Sequence, residues 1–150
     1  MDIGDMRRDF ESTGLDRDAL DDDPFRQFES WFNQAVEAGV EDPNALTLAT
    51  ADASGAPGAR TVLLKYFDSG GFVFYTNYGS RKARALAENP RAAMLFPWVP
   101  LNRQVTIEGR VEKVSRKESL RYFMSRPEGS QLGAWVSQQS AVIESRQALE

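Results

Sequence analysis

Three stretches of this sequence place cationic and hydroxyl side chains where they could hold an anion. Asn77-Tyr78-Gly79-Ser80-Arg81-Lys82 follows a strand-like segment and opens a helix-like one. Backbone N–H groups, the positive end of a helix dipole, a hydroxyl and two cations therefore converge on one point. Arg and Lys in a first helical turn oppose the macrodipole, which favours acidic residues there, and a bound anion is one physical reason to break that rule. Tyr122 and Arg126 stand four apart near the end of a second helical pattern, with Ser130 just beyond a turn, a set suited to clamping a phosphate. A tyrosine packed on a sheet and an arginine satisfying a helix C-terminus would account for the same residues. Arg60 and Lys65 bracket the apolar run Thr61-Val62-Leu63-Leu64. Cations buried there would need an anionic partner, whereas at strand ends both can reach solvent. Gln104 and Gln139-Ser140 are polar groups that could read a ring amide or a phosphate but carry little signal alone.

Composition narrows the chemistry further. Among 150 residues there is no Cys and no His, which removes thiolate nucleophiles, disulfides, Cys-ligated metals, Ser-His-Asp triads and imidazole acid–base steps from what these residues can do. Carboxylate chemistry, lysine chemistry or a borrowed cofactor remain. The densest acidic cluster, Asp16 to Asp23, falls in a polar stretch without strand or helix periodicity and reads as a solvated segment, not a metal site. Net charge is −4, but residues 1–59 carry 4 basic and 14 acidic side chains, residues 60–126 carry 13 and 5, and residues 127–150 carry 1 and 3. A basic middle whose cations are spread between acidic flanks suits a few phosphate groups better than a nucleic-acid backbone. No apolar run approaches a membrane span. The acidic start reads as neither a secretory nor a transit peptide, so cytoplasm is the expected location and neither membrane nor nucleic acid is an expected partner.

The elements that must position these groups are legible as periodicity. Asp23-Pro24 has the form of an N-cap and first-turn proline, and Phe25, Phe28, Trp31, Phe32 and Ala35 recur at helical spacing before Gly39. Strand character follows at Ala45–Ala51, Arg60–Phe67, Phe72–Thr76, Ala92–Trp98 and Arg103–Val114. Asp52-Ala53-Ser54-Gly55 and Asp68-Ser69-Gly70-Gly71 supply the turns that make the first three an antiparallel meander. Ser80 is placed to cap a helix running to Asn89, and Ser115-Arg116-Lys117-Glu118 is a capping box opening a helix to about Ser125. After Arg126-Pro127, a Glu128-Gly129 turn is expected, with Ser130 as a possible cap for a helix over Gln131–Val136. Residues 1–22 read as a polar acidic segment and 23–150 as one α+β domain built on an antiparallel sheet or barrel with flanking helices.

In their order along the chain, Arg60-Thr61-Val62-Leu63-Leu64-Lys65, Phe74-Tyr75-Thr76-Asn77, Gly79-Ser80-Arg81-Lys82, Leu95-Phe96-Pro97-Trp98, Arg103-Gln104-Val105 and Ser125-Arg126-Pro127 resemble the pyridoxamine 5′-phosphate oxidase family. So does Ser130-Gln131-Leu132-Gly133-Ala134-Trp135-Val136-Ser137, with Gln138-Gln139-Ser140 after it. The resemblance implies an FMN-binding split β-barrel, dimeric in the cytoplasm, with the flavin at the subunit interface. It places Arg60, Thr61, Val62, Leu63, Leu64, Lys65, Tyr75, Thr76, Arg81, Lys82, Gln104, Gln139 and Ser140 at FMN. Of these, Arg60, Arg81, Lys82 and Ser140 are expected at the phosphate end and Gln104 at the ring system. Lys65, Tyr122, Arg126 and Ser130 would hold the phosphate of pyridoxamine or pyridoxine 5′-phosphate. The implied reaction oxidises C4′ of that substrate through the flavin, with O2 reduced to hydrogen peroxide, so the protein itself need offer no Cys, His or other catalytic side chain and no metal. Family members continue past Glu150 into a segment containing a Phe-Trp-Gly-Gly run and an Arg-Leu-His stretch, so the resemblance implies a chain shortened at its C-terminus. The alternatives are another split-barrel flavoprotein and a non-catalytic FMN- or anion-binding fragment.

Overall fold

Aromatic side chains on one helix and one sheet face organise the molecule. Asp23 caps the first helix, α1 (Pro24–Glu37), its carboxylate accepting from Phe25 N–H at 2.9 Å, with Pro24 in the first turn where its missing N–H costs nothing. The helix stops in a Schellman motif. Gly39 takes φ +69°, donating to the Val36 carbonyl, and Val40 donates to the Ala35 carbonyl, a conformation that glycine adopts without a Cβ clash. Between these ends Phe28, buried, sits at ring-centroid distances of 4.9, 5.0, 5.1 and 5.7 Å from Phe67, Phe72, Phe96 and Trp98. Trp98 is also buried, and its indole N–H donates to the Pro43 carbonyl at 2.9 Å.

In the computed structural model, which describes residues 1–6 and 14–131, five antiparallel strands form one curled sheet in the order β3-β2-β1-β4-β5. They are β1 (Ala45–Ala51), β2 (Pro57–Asp68), β3 (Gly71–Phe74), β4 (Arg91–Phe96) and β5 (Val105–Arg110). The expected meander of the first three is present, and β1 has the expected bounds. The helix α2 (Arg81–Glu88) joins β3 to β4, which pairs with β1 on its other side. Ser80, fully buried, caps α2 by accepting from Ala83 N–H. The helix α3 (Arg116–Ser125) opens with the expected capping box between Ser115 and Glu118.

Several expected boundaries shift for identifiable reasons. The strand expected over Phe72–Thr76 stops at Phe74, leaving Tyr75 and Thr76 outside the ladder. The strand expected to reach Val114 ends at Arg110, and Val111 N–H turns to the Pro90 carbonyl. Asp16 caps a short 3-10 turn, Arg17–Ala19, inside the acidic stretch expected to be irregular. Residues 128–131 are helical, so Ser130 lies within a helical turn and does not cap one. The Pro127 carbonyl accepts from both Ser130 and Gln131 N–H, placing the start of that turn before the expected Glu128-Gly129 reversal.

The pairing of β2 with β3 contains a bulge that decides where one cation points. Leu64 faces Phe74 and Tyr66 faces Val73, so Lys65 is the extra residue on β2. Leu64 before it is buried and Phe67 after it packs on the core, while Lys65 and Tyr66 are consecutively exposed. A single inserted residue thus keeps both ends of the strand facing the core and turns Lys65 outward.

Candidate functional site

A cleft of about 520 Å3 lies where β2, the segment after β3, and α3 meet, within the size range of small-molecule sites. From β2 come Thr61, Val62, Leu63 and the bulge residue Lys65; from the segment after β3 come Tyr75 and Thr76, and from the first turn of α2 Lys82; from α3 and the turn after it come Tyr122, Arg126 and Ser130. Ten residues singled out in the sequence are therefore brought together from three separate stretches. Thr76 left the ladder in order to take part, and its hydroxyl lies 3.3 Å from that of Ser80. The rings of Tyr75 and Tyr122 stack in parallel, centroids 3.8 Å apart, and the Lys65 ammonium stands 5.9 Å from the Tyr122 ring. Tyr75 belongs to the set expected at the flavin and Tyr122 to the set expected at the substrate, so this stack joins the two.

The remaining site candidates lie elsewhere. Leu64 is buried in the core behind the cleft, with Asn44 bonding both its N–H and its carbonyl. Gln104 is exposed, immediately before β5, at the sheet edge opposite β3. Gln139 and Ser140 fall outside the described residues. Arg60 and Arg81 do not line the cleft, but both stand close to its cationic end. Burial, and after it the charge of Arg81, lowers the pKa of Arg60; burial, and after it the charge of Arg60, lowers that of Lys82. Mutually repelling cations in a partly buried place are stabilised by an anion. Burial is also the first cause of a raised Tyr75 pKa, ahead of Glu118 and Tyr122, and this keeps the phenol a neutral donor.

Sequence reasoning passed over four contributors. Ser125 and Pro127 line the cleft, and their place in the Ser125-Arg126-Pro127 run was the available signal. Thr50 on β1 accepts a hydrogen bond from Arg60, and Gly58 on Arg60's own strand leaves room for the guanidinium; nothing in their local sequence marks them. Among the described residues no cluster of acidic side chains could hold a metal, and no helix is long and apolar enough to cross a membrane.

The cation- and hydroxyl-lined cleft is set in a curled antiparallel sheet with flanking helices, the fold of the split-barrel flavoproteins. Two solved structures share it: PhzG from Burkholderia lata in complex with tetrahydrophenazine-1-carboxylic acid (TM-score 0.86, 29% identity, 91% of this chain and 69% of that one), and a pyridoxamine 5′-phosphate oxidase-related, FMN binding protein from Nostoc punctiforme (TM-score 0.66, 18% identity, 87% and 72%). The family model described as pyridoxamine 5′-phosphate oxidase matches residues 32–150, and the chain belongs to this family of oxidoreductases. Curated relatives named pyridoxine/pyridoxamine 5′-phosphate oxidase include proteins of Crocosphaera subtropica, 61% identical over all of this chain and 70% of that protein, and of Aliarcobacter butzleri, 57% identical over all of this chain and 71% of that protein.

Proposed function

We propose that the chain forms the flavin- and phosphate-binding part of an oxidase that converts pyridoxamine or pyridoxine 5′-phosphate to pyridoxal 5′-phosphate. The observation that carries this reading is the gathering of Lys65, Tyr122, Arg126 and Ser130 in the same cleft as Thr61, Tyr75, Thr76 and Lys82. The donor set fits two phosphate-bearing ligands: Lys82, with Arg60 and Arg81 behind it, for the phosphate of FMN, and Lys65, Arg126, Tyr122 and Ser130 for that of the substrate. FMN, when bound, accepts the two electrons lost at C4′ and passes them to O2, which leaves as hydrogen peroxide. The alcohol then gives the aldehyde directly, and the amine gives it with water entering and ammonia leaving. The side chains bind and orient. Arg126 and Lys65 fix the substrate phosphate, the Tyr75–Tyr122 stack sets the spacing between the two ligands, and Val62 and Leu63 limit water on the β2 side of the cleft.

The family resemblance, which puts Gln104 at the flavin although it does not line this chain's own cleft, supports a homodimer in which one copy's Gln104 reaches the site of the other. A second reading, a split-barrel flavoprotein acting on a ring carboxylate, draws on the likeness to PhzG. The much higher identity to the phosphate-substrate oxidases and the four-residue phosphate set favour the first.

The test is a visible absorption titration of the protein with FMN, followed by pyridoxine 5′-phosphate under air with peroxide measured. A shifted flavin spectrum and stoichiometric peroxide are expected. Flavin binding with no bleaching by either vitamer phosphate, anaerobically, would overturn the substrate assignment.

A further inference from the structure

Along the inward face of β2 the side chains run Phe67, Leu64, Val62, Arg60, Gly58, so an apolar strand face ends in a guanidinium followed by no side chain at all. In the register with β1, Arg60 lies opposite Leu48 and Gly58 opposite Thr50. One terminal nitrogen of Arg60, Nη1, donates to the Leu48 carbonyl and to the Thr50 hydroxyl, each at 2.9 Å. To reach Thr50 the guanidinium must pass over Gly58: a Cβ at that position would come within 2.8 Å of Nη2. Thr50 is 5% exposed and is one of two buried polar residues, with Ser80, among those described. Its methyl and hydroxyl are thus held in a fixed place in the sheet.

This seat has a directional consequence. Nη1 carries two protons, and both are taken by β1, which leaves the Nε–Nη2 edge, the edge that pairs with phosphate oxygens in a bidentate manner. No described carboxylate forms an ion pair with Arg60, and the neighbouring charge that acts on it is the cation Arg81. A sheet hydroxyl orients a cation whose remaining donors meet no carboxylate among the described residues.

We propose that Thr50 and Gly58 are positioning residues that seat the Arg60 guanidinium with its Nε–Nη2 edge toward the flavin phosphate, and so set the preference for FMN over phosphate-free flavin. The proposal rests on the FMN reading above. Threonine at 50 supplies the acceptor, and glycine at 58 supplies the space through which arginine reaches it. Neither touches the ligand. Gly58 has ordinary backbone angles, and the atom a new Cβ would meet is the flexible end of a side chain. Gly58→Ala therefore displaces the guanidinium without straining the strand.

The test compares FMN with riboflavin, each titrated into the full chain by quenching of flavin fluorescence, in wild type, Thr50→Val, Thr50→Ser and Gly58→Ala. Thr50→Val and Gly58→Ala should each weaken FMN on the order of tenfold while riboflavin affinity stays put, and Thr50→Ser should restore the wild-type ratio. Equal weakening of both flavins, or no change in the ratio, overturns the seat. Wild-type protein that binds neither flavin would defeat the FMN reading instead. In that case the rise in melting temperature on adding inorganic phosphate decides: present in wild type and Thr50→Ser but lost in Thr50→Val, it upholds the seat, and unchanged or absent throughout, it sinks it.

Discussion

The α1 side of the sheet and the α3 side are held together by different means. Around α1, Phe28, Phe96 and Trp98 are at most 4% exposed and interlock with Phe67 and Phe72. The α3 helix buries none of its residues, and its described ring contacts are the stack of Tyr122 on Tyr75, just past β3, and the Lys65 ammonium of β2 over the Tyr122 ring. One side folds on apolar burial and needs no ligand. The other is lined with cations and hydroxyls whose natural complement is an anion, so ligand binding and local order are coupled there.

The sharpest way to break that contrast is to damage the apolar side. Phe28→Ala should cost about 3–5 kcal/mol, as large aromatic truncations in cores do, and lower the urea midpoint of the whole domain with flavin absent. A midpoint unchanged within error would mean that α1 is not part of the cooperative core. On the polar side the effect should be on binding alone. Arg126→Ala should weaken pyridoxine 5′-phosphate by roughly ten- to a hundredfold, as loss of a charged hydrogen-bonding partner does, with an unchanged urea midpoint. Isothermal titration beside the denaturation curve separates the two.

Protonation gives a finer probe of the same side. Because burial and Arg60 hold the Lys82 pKa below its ordinary value, its charged form is disfavoured in the free protein and favoured once a phosphate is bound. Anion affinity should therefore be greatest below the depressed pKa and fall as pH rises through it. Without ligand the sign reverses, and this group's contribution to folding stability rises with pH between the depressed pKa and the ordinary lysine value. Lys82→Arg should move the fall in FMN affinity to higher pH; a curve that stays put assigns the titration to another group. The smallest effect is expected from Ser115→Ala. Loss of the capping box should cost α3 about 1 kcal/mol and speed amide exchange in that helix, with exchange around α1 unaltered.

What the sequence made legible divides along the same line. The α1 cap, its aromatic stripe, β1 and the Ser115 capping box each depend on neighbours within a few residues, and each appears where periodicity put it. The residues of the cleft could be nominated because cations at element ends are locally anomalous, although the family resemblance was needed to choose among the readings. Features set by pairing between distant strands were not legible. The bulge at Lys65 depends on how β3 meets β2. Thr50 and Gly58 acquire a role only because β1 and β2 lie in a register that puts them opposite one another. Gln104 lies at the far edge from the cleft for the same kind of reason: its place depends on strand order, not on its neighbours in sequence.

The bulge on β2 also bears on how such a strand can diverge. Deleting one residue there would close the ladder and exchange inside for outside along one half of the strand, driving either Leu64 or Phe67 into water. Replacing Lys65 by another residue disturbs neither half, because its side chain belongs to no face pattern. The position is free to vary in chemistry while being fixed in length, so the charge offered to a substrate can change by point substitution without any tax on the fold.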